Sequence, residues 1–310
     1  LALTLCAVLC YAARSVKMDR WGRIFTGLSF LGTSAASIYL MVLIFSNRFD
    51  IAYVASYSSA ELPAVYKFSA FWAGQQGSFL LWLFIHAAAG LILASRQRII
   101  SAGMSIYMML QALLTILVLA KSPFALQEMV VQNGTGLNPL LQDPWMAVHP
   151  PIIFAGYALL AVPLVYAAAA LIMGQPSKEW LEQARRWALT AWTFLGAGIF
   201  IGGYWAYKVL GWGGFWGWDP VENSSLVPWL VAGIFVHVLR VARIREVALS
   251  MVHLSAIFAF SLVLYGTFLT RSGILGDFSV HSFSGTSIGL TIAVVNALVL
   301  LAGLLLLIMR

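Results

Sequence analysis

PIIFAGYALLAVPLVYAAAALIM, Pro151–Met173, runs for 23 residues without one charged side chain. The hydrocarbon core of a bilayer needs about 20 apolar helical residues to cross it, so the stretch reads as a transmembrane helix. Working outward, comparable runs recur near 23–45, 79–94, 100–120, 186–206, 223–241, 247–269 and 286–309. Hydrophobic residues make up 61% of the chain and charged residues 9%. Soluble domains carry about 25% charged residues, and the mean hydropathy here is +0.89. The composition therefore predicts an all-α, polytopic transmembrane helical bundle. About eight or nine spans are expected, in a single transmembrane domain over 1–310. A shorter apolar run, Leu1 to Ala13, opens the chain without a Met and without a following A-x-A-like cleavage site. It is expected to be the end of another span, in a fragment or a processed start.

The net charge of +7 orients this bundle. Thirteen of the 18 basic residues fall on alternate connections: Arg14, Lys17, Arg20 and Arg23; Arg96 and Arg98; Lys178, Arg185 and Arg186; Arg240, Arg243 and Arg245; and Arg310. Basic residues collect in cytoplasmic loops, so these connections are expected on the cytoplasmic side. The same distribution argues against a nucleic-acid partner, because no basic face stands apart from the membrane loops. Cys6 and Cys10 form C-x-x-x-C inside an apolar run. That spacing is neither a redox C-x-x-C pair nor a zinc pattern, and reads as small core residues.

The opposite connections are longer and richer. They cover about 47–78, 121–151, 207–222 and 270–285. The third joins GWGGFWGWDPVENSSLVPWL, Gly211–Leu230, where Trp212, Trp216, Trp218 and Trp229 alternate with Gly211, Gly213, Gly214 and Gly217. Tryptophan gathers at membrane interfaces in general. Interleaved glycine, however, lets the backbone approach a flat object that indole faces can stack on, which favours a ligand platform. Asp219 suits a helix N-cap before Pro220 and Glu222, or a ligand contact; both readings stay open.

His149, in an HPP segment at the mouth of a span, and His281 lie at the same outer level. Two such imidazoles could ligate a haem iron axially, with Lys208 or Arg271 meeting the propionates, or could simply be solvated. His86, His237 and His253 fall inside spans, where ionisable groups suggest function by default. His86 reads as a packing residue. His237 and His253 lie at similar depth on adjacent helices, roughly 6 and 9 Å from their cytoplasmic ends. That makes a pair conceivable, for hydrogen bonding or for a second haem. No P-loop, GxGxxG, HExxH or local Ser-His-Asp pattern occurs, so nucleotide chemistry, zinc proteolysis and acyl transfer gain no support.

The tryptophan stretch resembles the WWD signature of the CcmF/CcsA haem-handling superfamily of cytochrome c biogenesis. The resemblance extends to AYVASYSSAELPAVYKFSAFWAGQQGSFLLW, LNPLLQDPWMAVHPPIIFAGY and FLTRSGILGDFSVHSF, in the family's order, and is closest to the CcmF branch. It implies that His149 and His281 are the axial ligands of a haem awaiting transfer. It also implies that His237 ligates a second, b-type haem in the membrane. The implied site further takes in Trp212, Trp216, Trp218, Asp219 and Arg271. The implied activity is that of a cytochrome c haem lyase subunit, which joins haem vinyls to the C-x-x-C-H thiols of apocytochrome c.

The implied partners are apocytochrome c, a haem-delivery chaperone, thiol-reducing or apocytochrome-binding subunits and membrane lipid. The implied location is a bacterial or organellar inner membrane, with the active loops outside. CcmF proteins are about twice this length by resemblance, so an N-terminal half, a split subunit or a shorter relative is expected. A C-terminal partner chain would then complete the b-haem site. The alternatives are a haem conduit without ligation chemistry, or a multi-haem membrane electron carrier.

Overall fold

The computed structural model describes residues 1–96, 101–129, 131–174, 179–211, 214–245, 248–276, 279 and 288–309. Among these the chain is helical and carries no strand, only an isolated antiparallel bridge between Ile51 and Leu126. The helices are α1 (Ala2–Ala12), α2 (Val16–Phe45), α3 (Ala52–Tyr57), α4 (Ala64–Ala73), α5 (Gln75–Arg96) and α6 (Ser101–Ala120). They continue as α7 (Pro144–Met173), α8 (Glu179–Val209), α9 (Pro220–Ala242), α10 (Leu249–Arg271) and α11 (Gly289–Ile308). Seven of them are long and apolar enough to cross a membrane: α2, α5, α6, α7, α9, α10 and α11. The chain is a multi-span membrane protein.

The eighth expected span corresponds to α8, which has 31 residues but is diluted by glycine, threonine and tryptophan and opens on Glu179 and Glu182. The opening run forms the 11-residue α1, too short to cross alone. It packs on α2 and α6, with Thr4 and Ser29 sharing a buried 2.8 Å hydroxyl bond.

Small residues set the helix spacing, as is usual where lipid removes the hydrophobic drive for association. Along α7 and α8 the contacts run in opposite senses: Gly156 faces Leu195, Ile153 faces Gly198, and His149 faces Gly202. The two helices are therefore antiparallel, and each contact leaves no room for a Cβ. The α8–α9 seam is built by Trp192 and Trp229, stacked at 5.1 Å and 7°, with Trp229 Nε1 donating to the Trp192 carbonyl at 3.1 Å. Gly196 and Gly233 make space for these rings. Trp229 is thus a packing residue.

At the bundle end that carries the longer connections, the first two of them are stitched together. The Ala52 amide donates to Ala125 O and the Gln127 amide to Asp50 O. Asn133 accepts from the Ala60 amide and donates to Glu61, and the Lys67 ammonium, itself buried, donates to Asn47 and to Ala60 O. These bonds hold the short helices α3 and α4 over the bundle end.

If the glycine contacts set the α7–α8 distance, Gly156→Ala should destabilise the chain by about 1–3 kcal/mol, the usual cost of overpacking. Gly27→Ala, in the interior of α2 where a Cβ would meet nothing within 4 Å, should instead stabilise by up to about 1 kcal/mol. Thermal unfolding of both variants in detergent checks the difference.

Candidate haem-type cavity at the outer bundle end

The four long connections converge on one cavity of about 430 Å³. That volume lies in the ordinary range for ligand sites, about 300–1,000 Å³. Tyr57 and Trp72 come from the first connection, Asn138 and Leu140 from the second, Trp216 and Glu222 from the third, and Thr270 and Arg271 from the fourth.

His149 lines this cavity, but from a helix rather than a loop. Asp143 accepts from the Trp145 amide at 2.8 Å and Pro144 occupies the first helical position, so α7 starts before the histidine. The imidazole is packed against Gly202, where any Cβ would meet Cε1, Nδ1 and Nε2 at 2.5–3.2 Å. Its Nδ1 is 2.8 Å from the Gly198 carbonyl oxygen. A carbonyl only accepts, so Nδ1 carries a proton and donates it. A histidine held this way has its ring orientation and tautomer fixed for ligating a metal.

Arg271 ends α10 buried in the cavity wall, its guanidinium 5.6 Å from the centre of the Phe79 ring. The phenols of Tyr53, Tyr57 and Tyr157 are close enough to interact with it electrostatically. Burial raises the Tyr57 phenol above its ordinary pKa, so it stays a neutral hydrogen-bonding group in that wall. Lys208, the other candidate cation, is not in the lining; it pairs with Asp143 at 3.5 Å.

The tryptophan segment folds back on the first turn of α9. Glu222 accepts from the Gly217 amide at 2.9 Å and the Asp219 amide at 3.3 Å, while Asn223 donates to the Trp218 carbonyl at 3.1 Å. Asp219 caps α9 through the Val221 amide at 2.7 Å, forming a capping box with Glu222, and accepts from Ser279 Oγ at 2.9 Å. Its carboxylate is therefore used in structure, and Asp219 is not among the lining residues.

The turn forces Trp218 to φ +55°, a left-handed conformation that non-glycine residues hold only where the surroundings over-determine it. The expected shared platform is divided. Trp216 lines the cavity, while Trp218 stands at 85° to it and is 72% exposed. Trp212 and His281 lie outside the described residues.

The remaining histidines separate. His86 is buried and stacked on Tyr107 at 4.1 Å and 6°, as a packing residue. His253 is buried against Trp180 at 5.4 Å. His237 bonds the Gly233 carbonyl at 2.8 Å and is exposed on the surface of α9, whereas His253 is buried, and no bond joins the two.

Tyr57, Trp72 and Trp205 are wall residues beyond those singled out by the sequence. The density of aromatics and glycines in AYVASYSSAELPAVYKFSAFWAGQQGS was the available signal. Gly74 is required because a Cβ there would collide with the ring of Tyr57.

Residues 72–275 match the family model described as cytochrome C assembly protein. The chain belongs to that family. It is 44% identical over 245 residues to the cytochrome c-type biogenesis protein CcmF of Pseudomonas aeruginosa, an alignment covering 77% of this chain and 37% of that protein. With the Escherichia coli CcmF the identity is 38% over 281 residues, covering 88% and 43%. Among solved structures, a cytochrome c heme lyase CcmF superposes with a TM-score of 0.83 at 29% identity, covering 99% of this chain and 49% of that one. The chain thus spans less than half the length of these relatives. The matched region contains every described cavity residue named above except Tyr57.

The capping role of Asp219 has a direct check. Asp219→Ala should cost about 1 kcal/mol of stability, and Asp219→Asn or Asp219→Ser should restore most of it, since all three side chains cap equally well. Thermal unfolding that ranks Asn and Ser with Ala would show that the carboxylate charge, rather than the cap, is what matters.

Proposed function

We propose that the chain holds haem in the outer cavity and promotes its thioether attachment to the C-x-x-C-H motif of an apocytochrome c. The observation that carries this reading is the orientation of His149. One ring nitrogen is tied to Gly198 O and the ring is set in the wall of the cavity that also holds Trp216 and the buried Arg271. An apolar aromatic cavity with one oriented imidazole and one buried cation fits a flat metallo-ligand bearing carboxylates.

In this reading His149 binds iron through Nε2 and Trp216 stacks on the ring system. Arg271 receives the propionates, and the tyrosine and tryptophan walls exclude water. When bound, haem supplies the vinyl groups to which the apocytochrome thiols add; the chain supplies position and dryness. His281 is the proposed second ligand. Supporting it, Ser279, two residues before it, is anchored on Asp219 beside the cavity. Trp212 belongs to the same proposal. Trp218, facing outward, is better suited to the rim, where an incoming apocytochrome would contact it.

The site faces the extracytoplasmic side of a bacterial or organellar inner membrane in this reading. A haem-delivery chaperone and thiol-reducing or apocytochrome-binding subunits act with it. His237 ligates a b-type haem whose other ligand comes from a C-terminal partner segment; its exposure on α9, while His253 is buried and not bonded to it, supports that arrangement over a carrier with paired histidines in this chain.

Maturation of a reporter cytochrome c tests the outer site. His149→Ala and His281→Ala should each lose activity and regain part of it with free imidazole, and the double variant should be inactive. Trp216→Ala should weaken haem retention more than Trp218→Ala. Normal maturation by the double variant would remove the outer site.

The haem spectrum tests the second proposal. In a His149→Ala, His281→Ala background, which empties the outer site, the chain alone should lack a low-spin b-type signal, and co-expression with a C-terminal partner should restore it unless His237 is changed to Ala. A b-type spectrum in that background that survives His237→Ala would rule the assignment out.

A further inference from the structure

At the opposite end of the bundle from the haem-type cavity, the start of α8 and the end of α9 enclose a second cavity. It measures about 410 Å³ and is lined by Arg185, Arg240, Arg243 and Ile244. We infer that this pocket binds the phosphate of an anionic phospholipid.

Two of these three arginines are set in place by one carboxylate. Glu182 accepts from Arg185 Nε at 3.2 Å and Arg185 Nη2 at 3.3 Å, from Arg186 Nε at 3.5 Å, and from Arg243 Nη1 at 2.9 Å. A guanidinium offers five N–H donors, so these contacts use only a minority of the donors of the three side chains. Arg240, in the last turn of α9, has no ion-pair partner among the described residues. One carboxylate thus orders a cluster whose net charge remains strongly positive.

A positive-inside anchor would need only scattered basic residues pointing to water. Here Glu182 fixes two of the three lining guanidiniums around a hollow, Arg185 with its side chain only 27% exposed. Planar forks in fixed positions suit the bidentate geometry of phosphate.

Two features select a lipid over phosphate in solution. The pocket lies between the start of α8 and the end of α9, at one end of an apolar bundle, and basic clefts at the ends of spans take lipid headgroups. Its remaining wall is Ile244, which is 83% exposed and offers an apolar surface where an acyl chain would begin.

The purified chain, placed in nanodiscs of phosphatidylcholine with a minor fraction of phosphatidylglycerol, should retain phosphatidylglycerol preferentially when its bound lipid is read by native mass spectrometry. Arg240→Gln with Arg243→Gln should reduce that preference about thirtyfold, from the usual surface contribution of two basic side chains. Arg20→Gln with Arg23→Gln, at another basic connection, should leave it intact. Arg240→Lys with Arg243→Lys keeps the charge and the fold, and should still lose part of the preference because the fork is gone. Excess inorganic phosphate should not displace the lipid.

Equal losses from both Gln pairs, or full retention in the Lys pair, would reduce the pocket to generic surface charge and overturn the proposal. Displacement by inorganic phosphate would assign the pocket to a soluble anion and overturn the lipid reading.

Discussion

The close approach of α7 to α8 governs the geometry of the outer site. Three contacts in register, Gly156 on Leu195, Ile153 on Gly198 and His149 on Gly202, bring the two backbones together where side chains would hold them apart. Inside lipid there is no solvent to drive helices together, so van der Waals fit at small residues has to do it. The last contact of the series is also the first feature of the cavity. The glycine that permits packing is the floor on which the imidazole rests, and the carbonyl of Gly198 one turn away fixes its tautomer. Packing and ligand orientation are one arrangement of atoms.

The rest of the cavity depends on how the outer connections are held over this helix pair. Backbone pairing between residues 50–52 and 125–127, with the Asn133 and Lys67 bonds, fixes the first two connections without a sheet. The third connection is fixed by the first turn of α9. Glu222 and Asn223 gather the amides and carbonyl of residues 217–219, and the left-handed Trp218 is the residue that this closure bends. Such strain costs on the order of 1–3 kcal/mol and persists where neighbours fix it. Its effect is to turn adjacent indoles at right angles, one into the cavity and one outward.

How much of this was legible in the sequence depends on range. The spans were legible because long, nearly uncharged apolar runs have few other fates, and seven of the eight became helices long and apolar enough to cross. The start of α7 was missed: Asp143-Pro144, a cap followed by a first-turn proline, lies inside the connection expected over 121–151, so the helix begins seven residues before the expected span. Local signals of the same kind made Asp219 recognisable as a cap. What no local pattern contains is direction. Lys208 and Arg271 are both outer cations, but only the helix packing decides that one meets Asp143 and the other the cavity. Likewise Trp229 is one of four similar tryptophans until Gly196 and Gly233 provide a slot for its stack with Trp192. Tyr57 and Trp72 join the wall through contacts made far along the chain, beyond the reach of periodicity.

The hydrogen bond from His149 to Gly198 crosses from one helix to another. A backbone acceptor on the far ring nitrogen increases the electron donation of an imidazole to a metal. The strength of this donor is therefore tied to the distance between two helix axes. Any event that spreads α7 from α8, such as docking of a large protein against the bundle end, would stretch that bond and soften the ligand. If His149 ligates iron as proposed, the scaffold acts as a mechanical transducer, with grip on the ion set by the separation of two rods.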